Sequence, residues 1–156
     1  VVGDSAGGNL AASTALLARD RNGPDISHQV LLYPVTNYDF GTESYEERGE
    51  GYIATKQSMI SYWNQYLPSE IHGANKYASP LREVEFNNLP PATVLTCEFD
   101  PLRDEGAAYA NKLDEGGVLS ERLHIDDMFH GYLQLNQFLE RSKTDLDIIS
   151  NKIHQI

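Results

Sequence analysis

Val1-Val2-Gly3-Asp4-Ser5-Ala6-Gly7-Gly8-Asn9-Leu10-Ala11-Ala12 is the stretch that decides the fold. Two β-branched apolar residues close a strand, and residues 3–8 form a glycine-rich turn. From about residue 8 to residue 21 the sequence is rich in Ala and Leu and apolar on most faces, which predicts a buried helix. Asn22-Gly23-Pro24 stops it, with Gly23 expected to supply the left-handed cap and Pro24 blocking continuation. Inside this strand, turn and helix lies Gly3-Asp4-Ser5-Ala6-Gly7, a Gly-x-Ser-x-Gly pentapeptide. A serine at so sharp a turn is forced into strained backbone geometry, and its hydroxyl stands clear of the sheet. The glycines two residues to either side leave room for the turn. The Lys-Ser/Thr of a phosphate-cradling loop is absent.

Working outward, Val30-Leu31-Leu32-Tyr33 is a short continuous apolar run ending at Pro34, as expected of a parallel strand buried on both faces. Residues 36–73 differ in composition, dense in Tyr and Glu and interrupted by Gly41, Gly49 and Gly51. Within them Met59, Tyr62, Trp63, Tyr66 and Leu67 recur at helical spacing and mark one face of an amphipathic helix. That helix packs on the sheet or walls a binding pocket. Ala92-Thr93-Val94-Leu95-Thr96-Cys97 is a further buried strand, running to Asp100-Pro101. Residues 104–115 read as a helix ended by Gly116-Gly117. A last strand is expected over about 119–125, then a loop carrying Met128-Phe129-His130-Gly131, then mostly helix. Strands alternating with helices predict an α/β fold with a mostly parallel sheet and flanking helices. Residues 1–156 form one unit, with an insertion at about 36–75 near the pocket.

The bulk numbers narrow the function classes. The 156 residues are enough for one domain with a core, and 40% hydrophobic and 22% charged residues fit a globular protein. No apolar run approaches the roughly 20 residues of a membrane span. The net charge of −11, without a basic stripe, argues against a nucleic-acid partner. Cys97 is the single cysteine, which excludes an internal disulfide and fits a reducing, cytoplasmic compartment. No Cys/His cluster has zinc spacing, so no metal or cofactor is expected. The sequence says nothing of oligomeric state. It opens inside a strand with neither an initiator Met nor a signal peptide, which reads as the C-terminal portion of a longer catalytic domain.

Chemistry gathers at strand ends. A serine hydroxyl is a weak nucleophile and needs a base, itself oriented by an acid. On an elbow of this kind the chain order is Ser, then Asp or Glu, then His. Asp100 follows the apolar run at a point where Pro101 breaks the strand, and functional groups of open α/β sheets collect at such carboxyl ends. Asp104 and Glu105 are rivals in the first turn of the next helix, where carboxylates favour the macrodipole, and Asp104 is read as a structural cap or clamp. His130 follows the last strand, and Gly131 lets the loop turn tightly so that the imidazole faces Ser5. The other histidines fit worse: His28 precedes a strand at the opposite end, His72 lies in the insertion, His124 falls within the last strand and His154 is terminal. Ser5 is therefore the candidate nucleophile, His130 the base and Asp100 the acid. The N–H of Ala6 points to where an oxyanion would form, at the positive end of the helix.

Three blocks, Gly3-Asp4-Ser5-Ala6-Gly7-Gly8-Asn9-Leu10-Ala11, Asp100-Pro101-Leu102-Arg103-Asp104-Glu105-Gly106 and His130-Gly131-Tyr132, resemble the signatures of the hormone-sensitive-lipase-like esterases. These are bacterial carboxylesterases and relatives of arylacetamide deacetylase, built on the α/β-hydrolase fold. The resemblance covers essentially the whole chain in order. It implies a carboxylic-ester hydrolase working through an acyl-enzyme on a small-molecule acyl ester of short to medium chain. It also implies further oxyanion donors from an upstream His-Gly-Gly-Gly motif, which this chain does not contain. The third block departs slightly, since Phe is commoner than Tyr132 after His-Gly. A serine peptidase of the same fold is the alternative within enzymes. Gibberellin-receptor-like binding proteins resemble the family but lack the catalytic histidine, whereas this chain keeps His130. A catalytically incomplete fragment is the remaining alternative.

Overall fold

The apolar runs assemble into one sheet, in which the runs at 29–32 and 92–97 are buried on both faces. In the computed structural model of the chain, residues 1–155 are described. Four strands, β1 (Val2–Asp4), β2 (Gln29–Leu32), β3 (Ala92–Phe99) and β4 (Ser120–Phe129), lie in the order β1-β2-β3-β4. All neighbours are parallel, with Val2 opposite Val30, Leu31 opposite Val94 and Leu95 opposite Leu123. Parallel neighbours need a crossover, and helices supply it. The helix α1 (Ala6–Asp20) links β1 to β2, and α4 (Arg103–Glu115) links β3 to β4. The long link from β2 to β3 carries α2 (Glu43–Arg48) and α3 (Lys56–Tyr66), and α5 (Glu140–His154) ends the chain.

The period of two along each strand separates two cores. On one face Leu31 and Val94 meet Ala11, Ala12, Ala15 and Leu16 of α1 and Tyr109, Ala110 and Leu113 of α4. On the other, Val30, Leu32, Leu95 and Cys97 meet Tyr132, Leu133 and Ile149. A third cluster of Val35, Tyr45, Met59, Trp63, Ala78 and Leu102 belongs to the β2–β3 link and the start of α4. β1 pairs on one side only, and Val1 and Val2 are about half exposed.

Five local expectations need correction. α1 starts at Ala6 rather than near residue 8, so the turn after β1 is a single residue, Ser5. It is buried on one face only, with Ala6, Leu10 and Thr14 exposed. Asn22, at φ 50°, takes the left-handed cap expected of Gly23, because a short polar side chain tolerates that region. The last strand runs on to Phe129. Cys97 pairs Ile125 and Phe99 pairs Phe129, so a bulge of extra residues in β4 carries the strand to the edge of His130. In α3, Thr55 and Ser58 form a capping box, and only Met59 and Trp63 of the expected apolar face are buried. No helix among the described residues is long and apolar enough to cross a membrane.

Candidate active site

Ser5 sits between β1 and α1 with φ 51° and ψ −116°, a conformation that costs a side-chain-bearing residue about 1–3 kcal/mol. Neighbours hold it there. Its N–H donates to the Leu32 carbonyl at 2.9 Å, and its carbonyl accepts from Val35 at 3.2 Å. A Cβ on Gly3 would lie 2.0 Å from the Gly7 carbonyl oxygen, so only glycine fits before the turn. The expectation that Gly7 serves the same purpose needs amendment. A Cβ on Gly7 would meet only Asp4 Oδ1 at 3.7 Å, whereas one on Gly8 would lie 2.8 Å from Pro34 Cβ. Gly8 is the glycine that lets α1 close against the end of β2.

Asp100 is fully buried just beyond β3. Its Oδ1 accepts the Leu102 N–H at 2.8 Å, which fixes the carboxylate plane, and its Oδ2 lies 2.8 Å from His130 Nδ1. His130 follows β4, and Gly131 at φ 78° makes the turn that aims the ring. His130 Nε2 lies 2.8 Å from Ser5 Oγ. A carboxylate only accepts, so Nδ1 carries the proton and donates to Asp100, leaving Nε2 to accept from the Ser5 hydroxyl. The chain thus brings together three residues read separately from its sequence. Ala6 is the first residue of α1, where an N–H has no intrahelical acceptor.

Beside Ser5 lies a cavity of about 360 Å³ lined by Ala6, Asn9, Leu10, Val35 and the α3 face of Met59, Tyr62, Trp63 and Tyr66. Tyr62 and Tyr66 stay more than half exposed at its mouth, as lining residues rather than core.

A family description, the alpha/beta hydrolase fold, matches residues 1–134. The chain belongs to that family. Among its relatives is the carboxylic ester hydrolase LipN of Mycobacterium tuberculosis, 39% identical over 142 residues, covering 88% of this chain and 38% of LipN. An arylesterase of Saccharolobus solfataricus is 39% identical over 132 residues, or 84% of this chain and 43% of the relative. The solved hyperthermophilic esterase from the archaeon Pyrobaculum calidifontis superposes with a TM-score of 0.94 at 39% identity, covering 98% of this chain and 51% of that one. The α/β-hydrolase chain therefore spans about half the length of the relatives it matches. These esterases agree with the three-block resemblance to hormone-sensitive-lipase-like enzymes.

The rival carboxylates of this α/β-hydrolase chain are engaged elsewhere. Asp104 Oδ2 accepts the Ser44 N–H at 2.7 Å and so clamps the start of α2. Glu105 is wholly buried and accepts from the N–H groups of Thr36 and Asn37. His28 lies at the opposite end, bound to Thr93 Oγ1 at 3.0 Å, and His124 binds Thr96 Oγ1 at 2.9 Å within the sheet. Tyr132, the departure from the third block, is buried and donates to Asp145 Oδ2 at 2.6 Å, pinning the turn after His130 to α5.

Three residues near the site make contacts that the sequence reading did not assign. Tyr33 lays its ring against His130 with centroids 4.8 Å apart, at a backbone φ of 38°. Asn9 donates to the carbonyls of Val35 at 3.0 Å and Ala78 at 2.8 Å. Glu105 is the third. A signal existed only for Asn9, the one amide in an Ala- and Leu-rich buried face.

Proposed function

We propose that the full-length protein is a serine carboxylesterase acting through an acyl-enzyme on short- to medium-chain acyl esters. The observation that carries this is the unbroken hydrogen-bonded line from Asp100 through His130 to Ser5, with both links at 2.8 Å. Ser5 Oγ attacks the ester carbonyl while His130 Nε2 takes its proton. Asp100 keeps the imidazole in the right tautomer and stabilises the imidazolium. The Ala6 N–H stabilises the oxyanion at the positive end of α1, each such donor being worth roughly 10²–10³ in rate. Further donors are expected from the His-Gly-Gly-Gly segment of the resembled esterases. His130 then protonates the leaving alcohol, and water releases the acid by the same route in reverse.

His130 must face the alcohol that it protonates. The cavity beside Ser5 is lined by α1, Val35 and α3 and by no described residue from the segment carrying His130, so it takes the acyl group. Its walls are almost wholly apolar, which suits hydrocarbon acyl chains and disfavours charged ones.

Ser5→Ala in the full-length protein is expected to abolish hydrolysis of aryl esters and covalent labelling by an aryl phosphonate. Steady-state assays and intact-mass measurement check both, and hydrolysis retained in Ser5→Ala would refute the proposal. Matched ester and amide substrates separate it from a peptidase.

A further inference from the structure

Residues 33–37 run between the first turns of α1 and α4. Pro34 is wedged there. A Cβ on Gly8 would lie 2.8 Å from Pro34 Cβ, and one on Gly106 would lie 3.6 Å from Pro34 Cδ. On the α1 side, Val35 N–H donates to the Ser5 carbonyl at 3.2 Å, and Asn9 holds the Val35 carbonyl. On the α4 side, Glu105 Oε1 accepts from Thr36 N at 2.6 Å and Asn37 N at 3.2 Å, and Thr36 Oγ1 donates to the Glu105 carbonyl at 2.9 Å. At the head of the segment the Tyr33 ring rests on His130. One short segment therefore touches both the nucleophile's own carbonyl and the histidine ring, and its carboxylate anchor is Glu105.

That anchor is expensive. Burial drives the Glu105 carboxyl well above the usual carboxylate range, against the pull of the Thr36 and Asn37 N–H groups. Its Oε2 has no partner among the described residues. A buried, half-satisfied carboxyl lowers stability, and a loop could be held without one. We propose that Glu105 is a positioning residue for the Ser5–His130–Asp100 triad, gripping residues 33–37 so that Tyr33 sets the His130 ring and Val35 sets Ser5. The inference rests on the esterase reading above.

The test compares wild type, Glu105→Gln, Glu105→Asp and Glu105→Ala in the full-length protein. Glu105→Asp is one methylene short of reaching both N–H groups, and Glu105→Ala removes the grip. Both are expected to lower kcat about 10- to 100-fold, the scale of a 1 Å misplacement at a reacting centre. KM should change by less than about threefold, because the binding cavity remains. Glu105→Gln keeps an acceptor at the same reach and should recover most of kcat. The far-downfield Nδ1 proton of His130, followed by NMR, should shift or broaden in Glu105→Asp and persist in Glu105→Gln. Wild-type kcat with an unmoved His130 resonance in Glu105→Asp would overturn the proposal. So would a Glu105→Gln as impaired as Glu105→Asp. If Glu105→Ala does not fold, the Asp and Gln pair decides. Hydrolysis surviving in Ser5→Ala would instead sink the esterase reading, and the resonance distinguishes that failure from this one.

Discussion

Gly3 and Gly8 together shape the turn around Ser5, and they do so by excluding a single carbon atom. At Gly8 that carbon would press on Pro34 Cβ at 2.8 Å and Pro34 Cα at 3.0 Å, and proline in a gripped segment has nowhere to go. Gly8→Ala is therefore expected to cost about 1–3 kcal/mol of stability through overpacking. Gly7→Ala meets only Asp4 Oδ1 at 3.7 Å and gains helix propensity of up to about 1 kcal/mol. Chemical denaturation of the two variants checks this, and a larger loss at Gly7 than at Gly8 would contradict it. Ser5, Asp100 and His130 were legible in the sequence because each stands beside its own local signal: a glycine turn, a strand-breaking proline, a His-Gly pair. Tyr33 and Glu105 were not. Their roles lie in contacts with His130 and with Thr36 and Asn37, far away along the chain, and neither residue type nor spacing announces them.

Among the elements, α3 was legible as an amphipathic helix, but not in the division of labour along its face. Periodicity groups Met59, Tyr62, Trp63 and Tyr66, and it cannot say which side chains fill the core and which stand at a cavity. Met59 and Trp63 are buried, while Tyr62 and Tyr66 rim the mouth. The helix thus sets both the depth and the entrance of the cavity beside Ser5. Trp63→Ala should open it, shift the preference among p-nitrophenyl esters toward longer acyl chains, and cost about 3–5 kcal/mol of stability. A chain-length profile of kcat/KM tests this, and an unchanged profile in a folded variant would assign the cavity another purpose. The alternation of strands and helices along the chain was legible from apolar runs and turns. The β4 bulge was not, because pairing two residues of one strand against a longer stretch of another leaves no mark in either sequence alone.

Across the whole molecule, the acidic chain gathers a network of paired charges around buried Glu83 at the far end of α1. Arg19 and Lys76 both contact Glu83, and both contact Asp20. Burial works against ionised Glu83, but hydrogen bonds from Lys76, from the Glu85 and Val84 N–H groups and from Arg19 prevail, and its pKa falls to about 2. A hydrogen bond from Lys76 likewise leads in holding Asp20 well below the usual carboxylate range, against burial. A depressed carboxyl stabilises the fold above its unfolded value, here about 4.5 for Glu83, and that contribution is lost as pH falls toward about 2. Glu83→Gln should therefore lower stability by roughly 1–3 kcal/mol at pH 7, and the gap to wild type should close on acidification. Thermal unfolding across that range decides it, and a gap that persists at low pH would refute it. The same molecule joins Ser5 to His130 across 125 residues. All four described strands must be in place before that bond can form, since β1 and β4 lie at opposite ends of their order. Contacts between distant parts of a chain are late and slow in folding. The Ser5–His130 hydrogen bond is thus a clock for completed folding: a newly made chain can gain helices and strands early, yet lacks this bond until β4 has arrived.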